Sequence, residues 1–309
     1  MDIQLVNLYI IAFYKILFLI LGLIGNTLFI HLIYKRRQLQ SRTCKFCDVL
    51  RYHGFSLAIL QCFQCFFHLF CQIGTVMSGV HDVGTLYRRN DCLNRIAFYI
   101  FFQTAQGIIM FIIVLDIIIF VKFPIIYRST SSTKYTLLIT LPIMFFSILT
   151  TLLAFLTTND EYNYSCGPPF AFGATASVYY NLFFILLGIS VMVSYIFLIR
   201  TFYLKSHNRT NCQNSQKTVK RLQFSVLIFI STWFFSQILG FIVLRAPEFS
   251  EWSGMMFAHT ALLVCLCYSN TFYVTMWRSK EYRDQFCSIW WHKRRNPSSV
   301  TVLHHTSSH

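Results

Sequence analysis

The chain has 309 residues, 55% of them hydrophobic and only 12% charged, and it contains 33 phenylalanines. A water-soluble domain carries about one quarter charged residues, so this composition excludes a soluble globular protein. The formal net charge of +15 would suit a nucleic-acid binder, but its placement along the chain points to an anionic lipid surface instead.

Seven apolar stretches predict seven spanning helices, at roughly 8–34, 54–80, 95–121, 135–157, 175–200, 222–244 and 252–277. Each reaches the ~20 residues that a helix needs to cross ~30 Å of hydrocarbon. The first holds one charge, Lys15, and closes on "KRR". It is therefore expected to stay as a span rather than be cleaved as a signal peptide. Only about seven residues precede it, so a ligand site is expected among the helices or in the short loops.

Of the 26 Lys and Arg, 21 fall in 35–51, 122–134, 200–221 and 278–295. Those are alternate connections, all on one side of a seven-span chain. The positive-inside rule then places the N-terminus outside and the C-terminus in the cytoplasm. On the outer side the largest connection is "TTNDEYNYSCGPPFAFG" (157–173), whose Pro-Pro and Gly residues suit a turn. The inner connection near 201–220 is polar and basic.

After the seventh span, "SKEYRDQFCSIWW" sets Tyr282, Phe286, Ile289 and Trp290 on one helical face. This predicts a short amphipathic helix, 279–291, lying in the inner interface. The fold class expected is therefore an all-α membrane protein, a seven-helix bundle over residues 1–295. The Ser-, Thr- and His-rich segment 296–309 reads as a disordered cytoplasmic tail.

Within "FIIVLDIIIFVKFPIIYR" (111–128) one carboxylate, Asp116, sits in an apolar run. It follows Cys92 by 24 residues, about 36 Å of helix at ~1.5 Å per residue. With Cys92 at the outer end, Asp116 lies at the inner boundary, where a charge costs far less than at mid-membrane.

The chain resembles rhodopsin-like G-protein-coupled receptors, in particular the nematode serpentine chemoreceptors of class SX. The resemblance spans nearly the whole chain: "GLIGN" in the first helix, "DCLNR" at the start of the third, "LDIIIFVKFPIIYR" at its inner end, "FISTW" in the sixth, and "SNTFYVTMWRSKEYRDQF" across the seventh helix and its extension. It implies a small-molecule or peptide ligand, a heterotrimeric G protein on the cytoplasmic face, a plasma-membrane location that could include sensory cilia, and no cofactor. It also implies a disulfide between Cys92 and Cys166, the two cysteines on the expected outer side, where oxidation is favoured.

Departures from the family pattern are equally informative. Ile117 replaces the arginine that follows the acid, the second helix has no acidic residue between Asp48 and Asp82, and Phe235 stands where the sixth helix carries a proline. Asn270 lacks a following proline, and Tyr273 comes three residues after it instead of four. Tyr99, seven residues after Cys92, takes the place of the amine-receptor aspartate, which disfavours a biogenic amine ligand.

Polar groups inside spans are candidate ligand contacts, because an unpaired polar group in lipid is costly. These are Tyr99, Gln103 and Gln106 of the third helix, Tyr180 of the fifth, Trp233 and Gln237 of the sixth, and His259 of the seventh. Interhelical bonding that merely holds the bundle together is the competing reading. The G-protein face is expected around Asp116, Pro124, Tyr127, Lys220, Arg221, Asn270 and Tyr273, with the Tyr127 hydroxyl donating to Asp116 and Lys122, Lys220 and Arg221 as competing partners.

Asn163-Tyr-Ser165 is a candidate glycosylation sequon on the outer side, and Cys287 a candidate palmitoylation site. The pairs Cys44–Cys47 and Cys62–Cys65 lack the four converging ligands of a zinc site. No paired carboxylates, phosphate loop or Ser/His/Asp arrangement marks an enzyme. Two readings compete with a coupled receptor: a small-solute transporter or channel, and a receptor fold that has lost coupling with the arginine.

Overall fold

The computed structural model describes residues 3–40, 48–80, 85–123, 125, 132–163, 165–207, 226–245 and 253–290. Pro124, Tyr127, Lys220 and Arg221 of the expected G-protein face, the Cys44–Cys47 pair and the 296–309 tail lie outside these residues. Among the described residues seven helices are long and apolar enough to cross a membrane: α1 (Ile3–Gln40), α2 (Asp48–Met77), α3 (Arg89–Lys122), α4 (Ser132–Thr157), α5 (Ala174–His207), α6 (Val226–Arg245) and α7 (Ser253–Arg278). The helical form is dictated by the apolar run itself, since backbone groups in hydrocarbon must bond within the segment.

Burial sets the arrangement. The spanning window of α3 is 72% buried and that of α4 only 17%, so α3 is the central post and α4 a peripheral strut. Asn26 of "GLIGN" is fully buried and its side-chain Nδ2 donates to the Tyr268 carbonyl at 2.9 Å, tying α1 to α7. After α7 the chain forms α8 (Lys280–Trp290), the expected amphipathic helix. Tyr282 stacks on Phe29 at 6.0 Å, Phe286 meets Phe272 edge-on at 5.6 Å, and Trp290 reaches His31 at 5.5 Å. Arg283 donates to the Met276 and Trp277 carbonyls, satisfying the open end of α7.

At the other end a covalent and backbone-paired clasp holds α2, α3 and the segment before α5. Cys92 at the start of α3 is disulfide-bonded to Cys166, with their Cα atoms 5.4 Å apart. Strand β1 (Tyr87–Arg88) pairs antiparallel with β2 (Tyr162–Asn163). Gly79, just past α2, exchanges backbone hydrogen bonds with Cys166, and its φ of +102° is the left-handed conformation that glycine adopts without strain.

Phe235 stands where the family carries a proline, and α6 departs from regular α-helical geometry without one. Residues Ile230–Phe234 form a π-helical turn, with the Phe235 N–H reaching the Ile230 carbonyl. Two hydroxyls feed it: Thr232 and Ser231 donate to the Ile228 carbonyl at 2.6 and 3.2 Å, competing with the helical ladder. Trp233 and Phe234, consecutive residues of this turn, are both buried. Glycines receive them. A Cβ on Gly107 of α3 would lie 3.1 Å from the Trp233 indole, and one on Gly188 of α5 would lie 2.1 Å from the Phe234 ring.

Candidate functional site

The residues of α3 that sequence reasoning singled out form a buried stripe: Tyr99 and Gln103 are 4% exposed and Gln106 is fully buried. Tyr99 lies against Gly74 of α2, where a Cβ would come within 2.3 Å of its ring. One turn along, Gln103 accepts a hydrogen bond from the Tyr180 hydroxyl of α5 at 3.2 Å. Tyr180 is in turn fixed by Phe172 (4.5 Å) and Phe184 (4.7 Å), and Phe184 meets Trp233 edge-on at 5.4 Å. Phe229 stacks beneath that indole at 4.8 Å. Gln103, Tyr180 and Trp233 thus belong to one connected group spanning α3, α5 and α6.

Two polar groups in this centre lack a hydrogen-bond partner among the described residues: the whole Gln106 amide and the Trp233 indole N–H. Buried groups of this kind are costly unless something completes them. Gln237 is also buried, one turn beyond Trp233, and its neighbour Ser236 donates to the Thr260 carbonyl of α7 at 2.9 Å. His259 stands apart. It is exposed, and its ring lies 6.4 Å from Tyr14 of α1, so the structure does not bring it to the Gln103–Tyr180–Trp233 group. One α7 side chain, Phe257, reaches the segment before α5, meeting Phe170 edge-on at 4.9 Å, and also covers Gly240 of α6.

The segment over this centre is anchored by Arg89, a residue that sequence reasoning passed over. Its guanidinium, 8% exposed, donates to the Phe170 carbonyl and the Asn159 side chain and pairs with Glu161 at 2.8 Å. The clasp holds the sequon too. Asn163 Nδ2 donates to the Phe170 carbonyl at 3.2 Å and Ser165 is buried, so a sugar would have to be added before the segment closes. A cavity of about 360 Å³ opens beside the disulfide, lined by Tyr87, Arg88, Asp91 and Arg95.

At the α8 end, Asp116 is fully buried and accepts a hydrogen bond at 2.7 Å from Tyr135, in the first turns of α4. Lys122 points elsewhere, its ammonium over the Phe197 ring of α5 at 5.1 Å. Ile117 is 2% exposed and packs in the main core. Asn270 borders a cavity of about 50 Å³ together with Gln61, Gln64, His68, Met110 and Thr271. Tyr273 instead faces α1, packing on Gly25 and donating to the Leu21 carbonyl at 3.0 Å. Among the described residues no group of three His, Cys, Asp or Glu converges as a metal site.

This geometry can bind and position but carries no acid–base or nucleophilic constellation: an amide, a phenol and an indole converge beneath a tethered segment. Compared with known proteins, the sequence has no match among curated relatives. The family model described as serpentine type 7TM GPCR chemoreceptor Srsx matches residues 19–290. With seven spanning helices, the clasp on α3 and this match over most of its length, the chain belongs to the Srsx family of serpentine seven-transmembrane chemoreceptors.

Proposed function

We propose that this protein is a chemosensory receptor that binds a small molecule or peptide within the helix bundle and signals to a heterotrimeric G protein. The ligand would enter at the disulfide end, which faces outside in this reading, and contact Gln103, Gln106, Tyr180, Trp233 and Gln237, with Tyr99 at the α2 side. The observation that carries the reading is the connected group Gln103–Tyr180–Phe184–Trp233, next to the uncompleted Gln106 amide. A ligand that completes those polar groups in one bundle arrangement and not in another shifts the populations of the two. The glycine seats of Trp233 and Phe234 link that change to α6, and the face around Asp116 and Asn270 would deliver it to the G protein.

The basic residues of alternate connections support a cytoplasmic C-terminus. Epitope tags at both ends, stained with and without permeabilisation, test this; a C-terminal tag accessible on intact cells refutes it. For the site, cells expressing the receptor are challenged with volatile and soluble odorants while calcium or cyclic nucleotide is read. Gln103→Ala and Trp233→Ala should weaken the response by about tenfold or more at unchanged surface level, corresponding to ~1.4 kcal/mol. An activating ligand whose potency ignores both substitutions would move the site elsewhere.

A further inference from the structure

We infer that Lys15 anchors a carboxylate of the ligand, so that this receptor responds to small organic acids; the inference rests on the receptor reading above and adds the ligand class. Three Lys, Arg, Asp or Glu side chains are buried among the described residues: Lys15, Arg89 and Asp116. Arg89 has Glu161 and Asp116 has Tyr135. Lys15 is 4% exposed, and no carboxylate among the described residues lies within ion-pair distance. A cation held between transmembrane helices without a counter-charge is costly, and such residues mark ligand or ion pathways.

The surroundings favour an anion. The Lys15 ammonium donates to the Ser78 carbonyl at 2.5 Å; an ammonium has three N–H donors, so two remain. Capping the end of α2 accounts for that one contact but not for the depth of the side chain, whose long stem could carry its charge toward water. Gly79, whose positive φ already favours glycine, packs against the ammonium: a Cβ there would lie 2.6 Å from Nζ and push the tip of the Lys15 side chain aside. Polar groups of α2 and α7 stand alongside. Thr75 and Cys265 meet at 3.7 Å, Gln72 donates to the Cys265 carbonyl, and the Thr75 carbonyl accepts from the Ser78 hydroxyl of the residue that Lys15 contacts.

Occupancy would also be felt by the clasp. Ser78 precedes Gly79, which pairs through its backbone with Cys166. A carboxylate that takes the two remaining donors would shift the ammonium relative to the Ser78 carbonyl, one residue from the strip that pairs with the disulfide segment. The neutral polar groups of Gln103, Gln106 and Tyr180 would then select the remainder of the molecule.

The test uses the full receptor purified in detergent, with butyrate, hexanoate and benzoate as probes and their methyl esters as uncharged controls. Thermal unfolding reads binding independently of coupling. The acids should raise the wild-type Tm by several degrees and the esters should not. Lys15→Gln keeps a donor for Ser78 and removes the charge; it should abolish the acid-induced shift, and Lys15→Arg should retain it. Esters as effective as acids, no acid that shifts the wild type, or an unchanged acid shift in Lys15→Gln overturns the inference. Should Lys15→Gln fail to fold, the acid-versus-ester selectivity of the wild type decides. Acid binding through Lys15 without a second-messenger response upholds the inference and refutes coupling; a neutral odorant that signals while no acid binds does the reverse.

Discussion

At the disulfide end, α3 is joined to residues 159–170 by the Cys92–Cys166 bond, by the β1–β2 pairing and by the buried Arg89. At the α8 end, the polar contacts described for α3 run from side chain to side chain, Tyr135 to Asp116 and Lys122 over Phe197. Covalent and backbone ties hold whatever rotamers the neighbours adopt, whereas a side-chain tie can be exchanged for another at the cost of one bond. The contrast describes a receptor with a fixed frame at one end and a replaceable set of partners at the other.

The largest expected effect removes the frame. Cys92→Ser or Cys166→Ser should destabilise the protein by about 2–5 kcal/mol, as expected for a native disulfide closing a long loop, and lower surface expression; unchanged thermal unfolding would break the comparison. Next, Arg89→Ala deletes two hydrogen bonds from a charged donor, roughly 3 kcal/mol at ~1.5 kcal/mol each. Limited proteolysis of the 157–173 segment should accelerate in that variant, and an unaltered cleavage rate would show that the disulfide alone suffices.

At the α8 end, Asp116→Asn and Tyr135→Phe should each cost about 1.5 kcal/mol, the lower range for a bond to a charged group. Their double mutant should be no worse than either alone, a cycle that measures the pair directly. Additive losses would mean that Asp116 works mainly through other contacts, the Tyr127 hydroxyl among the candidates. The smallest effect belongs to Arg283→Ala, which uncaps α7 and loosens α8 by about 0.3–1 kcal/mol. It should show as faster hydrogen exchange confined to 276–290.

The spans were legible because hydrocarbon thickness and backbone satisfaction leave little choice for long apolar runs. The expected 54–80 and 95–121 differ from the observed α2 (Asp48–Met77) and α3 (Arg89–Lys122) mainly at polar ends, where Ser78 and Gly79 stop α2 and Arg89-Asn90-Asp91 extends α3. The face of α8 was equally plain, since Tyr282, Phe286, Ile289 and Trp290 recur at helical spacing among charges. What a residue faces inside an apolar helix was not. A helix hydrophobic on all sides has no readable face, so His259 could be placed on α7 but not turned toward Tyr14. Tyr135 carried no signal as the donor to Asp116, because the register of α4 against α3 comes from packing alone. Arg89 carried no signal either, since its partners Asn159, Glu161 and Phe170 lie more than 65 residues away in sequence.

The π turn of α6 carries a consequence for insertions and deletions. Such a turn holds one residue more than the α-helical ladder needs, and here it sits between Ile230 and Phe234. Deleting a single residue from it would let the ladder close uniformly, turning all of α6 beyond that point by about 100° about its axis. Gln237 and Ser236 would leave the interior, and the contact of Ser236 with Thr260 would be lost without either residue having been substituted. In this helix, chain length between Phe229 and Phe235 itself sets which side chains face the interior, and is as sensitive to a one-codon loss as the side chains are to replacement.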